Sequence, residues 1–112
     1  MNNVVLSDKV KKALNNQLPI LALESSILSQ GMPYPNSLEF AKKAERLCLE
    51  AKVVPAIIAI LKGVIHVGLE ENQLREICEK ETIKKISLRE LGVAVSKKWD
   101  GSTTVSSTIQ IA

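Results

Sequence analysis

Val53-Val54-Pro55-Ala56-Ile57-Ile58-Ala59-Ile60-Leu61, then Lys62-Gly63, then Val64-Ile65-His66-Val67-Gly68: this stretch decides the fold. The first run carries no charge over nine residues, far short of the length a membrane-spanning helix requires. Its β-branched content and its length predict a strand buried on both faces. Pro55 must then lie near the start of that strand or on an edge, because it cannot donate to a ladder. Lys62-Gly63 separates it from a second strand, and the pair predicts a β-hairpin.

Working outward, strands alternate with helices. Ser7-Asp8 opens an amphipathic stretch over Lys9 to Gln17, with Val10, Ala13 and Leu14 at helical spacing. Pro19 to Leu23 predicts a buried strand ending at Glu24. Ser25 to Pro35, with Gly31, Pro33 and Pro35, predicts a loop. Asn36-x-x-Glu39 resembles a capping box and starts a helix to about Lys52, whose small face is Ala41, Ala44, Cys48 and Ala51. Glu70 to Lys80 predicts a helix with Leu74, Ile77 and Cys78 inward, and Thr82 to Ile86 a short strand. Ser87-x-x-Glu90 is a capping box that starts a helix to about Lys98. Asp100 to Thr104 predicts a turn, and Val105 onward another helix. The class is α/β: a partial mixed sheet with helices packed on it. The last residues, Ile109 to Ala112, lie inside an apolar run, which reads as a fragment or a truncated reading frame.

The 112 residues are 46% apolar and 24% charged, the composition of an ordinary globular chain. Met1 to Val10 has neither the basic start nor the apolar stretch of a signal peptide, so the expected compartment is the cytoplasm. A net charge of +3 with only three aromatic residues, Tyr34, Phe40 and Trp99, lacks the basic face and stacking platform of a nucleic-acid binder. Cys48 and Cys78 fit no metal or redox spacing and read as small buried apolar fillers.

Four places can carry chemistry. Glu24 ends a buried strand, where α/β sheets bind ligands and where a carboxyl can act as general acid; the plain alternative is an exposed or capping glutamate. Lys84 and Lys85 end another strand, where a lysine can reach a phosphate, though a solvated pair is the plain reading. Gly101-Ser102-Thr103-Thr104-Val105-Ser106-Ser107-Thr108 offers hydroxyls and free backbone N–H groups at a helix start, an anion cradle or simply a polar N-cap. His66, the sole histidine, reads as a strand residue, and the chain has too few His and Cys for a zinc site.

Together these blocks resemble one family. Leu21-Ala22-Leu23-Glu24-Ser25-Ser26-Ile27 with Gly31-Met32-Pro33-Tyr34-Pro35 is similar to the opening motif of the pseudouridine-5'-phosphate glycosidases, the indigoidine synthase A-like family. Val54 to Ile60 with Gly63 and Val67-Gly68-Leu69, Lys85-Ile86-Ser87-x-Arg89-Glu90-Leu91, and Gly101 to Thr108 match three further blocks in the same order. The resemblance implies reversible cleavage of the C–C glycosidic bond of pseudouridine 5'-phosphate to uracil and ribose 5-phosphate, through a lysine Schiff base. It implies Glu24 as proton donor, Lys85 rather than Lys84 as a substrate contact, and Val105 at the substrate; the hydroxyl-rich turn from Ser102 to Ser107, with Thr103 and Thr104, is expected to help hold the phosphate or ribose. It also implies a divalent metal, manganese in type, and a homotrimer acting on a small molecule, with no nucleic acid or membrane partner. Residues 1–112 correspond to the N-terminal part of the family's single domain. The Schiff-base lysine, the metal-binding aspartate and a glycine-rich segment fall beyond the matching region, so this chain alone is expected to be inactive. Ser26 stands where threonine is usual, and Gly92 where proline is usual. Competing readings are a non-catalytic remnant that binds a phosphate or a partner, and an unrelated α/β nucleotide-binding module.

Overall fold

The computed structural model describes residues 3–112. Its centre is the predicted run: β3, Val54–Leu61, has its last six residues buried, from Ala56 to Leu61. β4, Val64–Val67, folds back on it antiparallel with Leu61 opposite Val64, the expected hairpin. Lys62 and Gly63 both have positive φ, and a Cβ on Gly63 would stand 2.8 Å from the Val95 carbonyl oxygen, so only glycine fits there. Pro55 is the second residue of β3, where its missing N–H is tolerated.

Four more strands complete a mixed sheet. β1 (Val4–Leu6) runs parallel to β4, β2 (Ile20–Leu23) parallel to the first half of β3, and β6 (Gly101–Thr103) antiparallel to its second half; β5 (Lys84–Ile86) runs parallel to β6. β1 is absent from the sequence reading. β6 corrects it, because Asp100 to Thr104 is not a turn: Gly101, Ser102 and Thr103 are buried between β3 and β5. Propensity disfavours a Gly-Ser-Thr strand. Tertiary packing overrides it, for an added Cβ on Gly101 would lie 1.9 Å from Ile86 Cδ1.

The helices are α1 (Asp8–Asn15), α2 (Asn36–Glu50), α3 (Glu71–Glu79), α4 (Leu91–Ser96) and α5 (Val105–Ile111). Alternation along β3 feeds two cores. Ile57, Ala59 and Leu61 pack with Leu28, Leu38, Leu74 and Ile77, from a π-helical turn, α2 and α3. Ile60 packs on the other face with Ile65, Ile86 and Ala94, beside Trp99 and Ile111. Each fully buried isoleucine contributes roughly 1.5–3 kcal/mol.

Local corrections have local causes. Ser25 to Pro35 is not all loop: Ile27–Gly31 forms the π-helical turn, which buries Leu28. Asn36 is the first residue of α2 rather than its cap; Pro35 holds the cap position. On α2 only Ser37, Leu38 and Ala41 are buried; Ala44 and Cys48 are half-buried and Ala51 is exposed. The expectation for Cys78 holds, whereas Cys48 is not a buried filler. Ser87 does form the capping box, donating to Glu90 Oε1 at 2.5 Å while its N–H donates to the same oxygen at 3.1 Å. Those bonds hold the Glu90 carboxyl below its usual range. The helix it starts opens as a 3-10 turn, Leu88–Glu90, before α4.

Candidate functional site

The site lies where three strands end together. β2 and β6 both border β3 and run in opposite directions, so their carboxyl ends meet head to head. Leu23 lies opposite Ile57 and Ser102 opposite Ala59, leaving Ile58 between the two strand ends. There the Ser25 N–H donates to the Thr103 carbonyl at 3.1 Å, and both chains turn out of the sheet. β5 ends beside them: the Thr104 N–H donates to the Ile86 carbonyl at 3.1 Å, and the Leu88 N–H to Ser106 Oγ at 3.1 Å. A gap beyond strand carboxyl ends, at a reversal of direction, is where α/β sheets accept ligands.

Glu24 sits at this junction, half-buried, and its Oε2 accepts from Ser26 Oγ at 2.8 Å. It borders an apolar cavity of about 230 Å³ with Leu23, Ile27, Leu28, Phe40, Ala41, Ala44 and Ile57. Lys85, paired with Ser102, is exposed and has no ion pair among the described residues. Lys84 points the other way, its Nζ 5.0 Å from the centroid of Trp99, as a period of two requires. Lys85 therefore shares a sheet face with the π-helical turn, whose Ser29 donates to Ser102 Oγ at 2.6 Å. Glu24 shares its cavity with Ile27 and Leu28 of that turn.

The hydroxyl-rich run behaves differently from a cradle. Ser102, Thr103 and Ser107 are fully buried and Thr108 is 6% exposed. Thr103 Oγ1 donates to the Ile58 carbonyl at 2.8 Å, and Ser107 Oγ to the Ile86 carbonyl at 2.7 Å. Thr104 caps α5, accepting from the Ser107 N–H at 3.5 Å. Val105 is 59% exposed at the first turn of α5, whose far end packs against the Ile60 core. Glu24 and Thr104 thus follow strand ends that are joined by the Ser25–Thr103 bond, Val105 comes next in the chain, Lys85 lies on the neighbouring strand opposite Ser102, and the Thr103 side chain is spent inside.

His66 is a strand residue of β4, and burial lowers its pKa from 6.5 against a weaker opposing pull from Glu76. Among the described residues no group of three His, Cys, Asp or Glu is placed to hold a metal. Sequence reasoning missed Ser25 and the bond from Ser26 to Glu24; the only signal was two hydroxyls directly after the strand-end acid.

The family described as indigoidine synthase A like protein matches residues 9–112. A protein from Fervidobacterium nodosum described as pseudouridine-5'-phosphate glycosidase is 47% identical over 97% of this chain. One of the same description from Mycoplasmopsis agalactiae is 42% identical over 98%. The chain spans 36% of the length of each. Among solved structures, the prealnumycin C-glycosynthase AlnA in complex with ribulose 5-phosphate superposes with a TM-score of 0.87 at 35% identity, over all of this chain and 36% of that one. An indigoidine synthase A-like protein of Thermotoga maritima gives 0.83 at 27% identity, over 96% of this chain and 35% of that one. A match from residue 9 to the last residue, carried on the same α/β topology, means that the chain belongs to the indigoidine synthase A-like family.

Proposed function

We propose that this chain supplies part of the active site of a pseudouridine-5'-phosphate glycosidase, which reversibly cleaves the C–C glycosidic bond to give uracil and ribose 5-phosphate. The observation that carries the reading is the convergence of the ends of β2, β5 and β6, with Glu24 directly after β2 and Lys85 in β5 opposite Ser102. The similarity to proteins described as pseudouridine-5'-phosphate glycosidases and to a C-glycosynthase holding a pentulose phosphate supports it.

The chemistry asks for few groups. Carbon is a poor leaving group, so the departing base needs a proton and the sugar needs an electron sink. Glu24 is the proton donor: it is half-buried, borders an apolar cavity and is held by Ser26. Lys85 has no competing carboxylate among the described residues and binds the phosphate or a ribose hydroxyl. Thr104 and Val105 form the rim, Thr104 through its backbone and Val105 by apolar contact; Thr103 serves through its place in the strand. The imine-forming lysine and the manganese ligands that the resemblance implies are proposed to lie outside this chain, which spans 36% of the length of the first relative. The trimer and the cytoplasmic location implied by the resemblance are proposed on the same footing.

The test is an NMR titration of the labelled chain with ribose 5-phosphate. Shifts should cluster at Glu24, Lys85, Thr104 and Val105. Lys85→Ala should weaken binding and Lys84→Ala should not. Shifts confined to other surfaces, or the reverse lysine pattern, would sink the proposal.

A further inference from the structure

The junction at the heart of this site is not held by a β-ladder. β2 ends at Leu23 and β6 at Thr103, both beside Ile58, so the Ile58 carbonyl has lost its strand partner on that edge. Two hydroxyls replace it: Ser25 Oγ donates to that oxygen at 2.6 Å and Thr103 Oγ1 at 2.8 Å. Each hydroxyl has one hydrogen, and both are spent there. The 3.4 Å approach of Ser25 Oγ to Thr103 Oγ1 therefore carries none, and the hydrogen in the 2.8 Å pair with Thr108 comes from Thr108. Ser25 Oγ keeps its lone pairs, and one accepts the Thr103 N–H at 2.8 Å. With its own N–H on the Thr103 carbonyl at 3.1 Å, Ser25 grips both polar groups of the Thr103 backbone. It precedes Ser26, which holds Glu24, and it grips the residue next to Thr104 and two from Val105.

We propose that Ser25 is a positioning residue of the site, fixing Glu24 relative to Thr104 and Val105 by clamping the head of β2 onto the head of β6. It touches no substrate, being fully buried. The proposal rests on the reading of Glu24 and Val105 as substrate-facing. Without the hydroxyl the Thr103 N–H is orphaned in the core, and of the two bonds between Ser25 and the Thr103 backbone only the one from the Ser25 N–H to the Thr103 carbonyl remains. Misplacement of catalytic groups by about 1 Å can cost two orders of magnitude in rate.

The experiment uses the full 112-residue chain, isotopically labelled. In the wild type, the Thr103 amide should be among the slowest to exchange. In Ser25→Ala it should exchange at least ~10-fold faster, and the Glu24, Thr104 and Val105 resonances should move. Ribose 5-phosphate affinity should fall roughly tenfold, the worth of one such bond. Ser37→Ala is the control, because its buried hydroxyl makes no bond to Ser25, Thr103 or Glu24 among the described residues, and it should leave all of these unchanged. If Ser25→Ala does not fold, Ser25→Thr, which keeps the hydroxyl, should retain the slow Thr103 amide and the three resonances. A fast Thr103 amide in the wild type overturns the proposal. So does Ser25→Ala with the three resonances unmoved, or Ser25→Thr with them displaced. A wild-type chain that ignores ribose 5-phosphate but shows the resonance pattern defeats the functional reading alone.

Discussion

Replacing Thr103 by valine keeps its shape and removes one oxygen, which isolates what the buried hydroxyl contributes. Thr103 is fully buried, and Oγ1 makes two bonds, to the Ile58 carbonyl at 2.8 Å and with Thr108 Oγ1 at 2.8 Å. The Ile58 carbonyl still accepts from Ser25, so the first loss is one bond, about 1 kcal/mol. The second is larger, because the Thr108 hydroxyl, 6% exposed, keeps a hydrogen with no acceptor, at about 1–3 kcal/mol. The sum, roughly 2–4 kcal/mol, corresponds to a fall in Tm of about 8–16 °C for a chain of this size. Thr103→Val/Thr108→Val removes the orphan together with its lost partner, so it should be more stable than the sum of the single losses by ~1 kcal/mol or more. Urea and thermal unfolding of the three variants measure this. A single variant within about 2 °C of wild type, or strict additivity in the double, refutes the assignment of Thr103 as an internal strut.

Gly101→Ala should destabilise by about 1–3 kcal/mol, since its methyl meets Ile86 Cδ1 at 1.9 Å and the Lys84 carbonyl oxygen at 3.0 Å. Gly92→Ala, in α4 with nothing within 4 Å, should stabilise by up to ~1 kcal/mol; paired denaturant melts that reverse this order would refute the packing argument. Burial lowers the His66 pKa below 6.5, so as the pH falls the unfolded chain takes up this proton before the folded one does. Stability from this group is therefore present above pH 6.5 and lost below it, and His66→Gln should flatten the slope between neutral and mildly acidic pH; an unchanged slope assigns it elsewhere. The purified chain with manganese and pseudouridine 5'-phosphate should release no uracil, and borohydride should trap no ribose adduct; an adduct on any of its lysines would make that lysine the nucleophile.

The elements legible in the sequence were those whose burial is written in side-chain type. β3 and β4 announce themselves because a strand covered on both faces must be apolar throughout, and Lys62-Gly63 supplies the positive φ their turn requires. The Ser87 box is legible because its partners are three residues apart. β1 is three residues long and holds its place only by pairing with β4, 61 positions away, so no local pattern marks it. β6 was hidden for a related reason: Gly101, Ser102 and Thr103 look like turn chemistry, and only the closeness of Ile86 and the orphaned Ile58 carbonyl make a strand of them. The exposed parts of α2, Phe40, Leu47 and Leu49, are apolar without being buried here, which defeats a face assigned from small residues alone.

The site was legible in its members and illegible in its plan. Strand-end position picked out Glu24 and the pair Lys84 and Lys85, the resemblance chose Lys85, and the alternation that sends Lys84 to Trp99 follows from a period of two. No spacing rule says that β2 and β6 collide at Ile58, because the collision joins residues 78 positions apart through side chains instead of a ladder. The same hydroxyls that suggest an anion cradle in the sequence are consumed in repairing that collision. A hydroxyl cluster at a helix start therefore carries two opposite meanings. If the hydroxyls face solvent they are available to a ligand; if a neighbouring strand leaves a carbonyl orphaned, they are structural. The backbone that such a strut holds in place can still border a ligand, and that is the place proposed for Thr104 and Val105, while Ser102, Thr103 and Ser107 are withdrawn into the core.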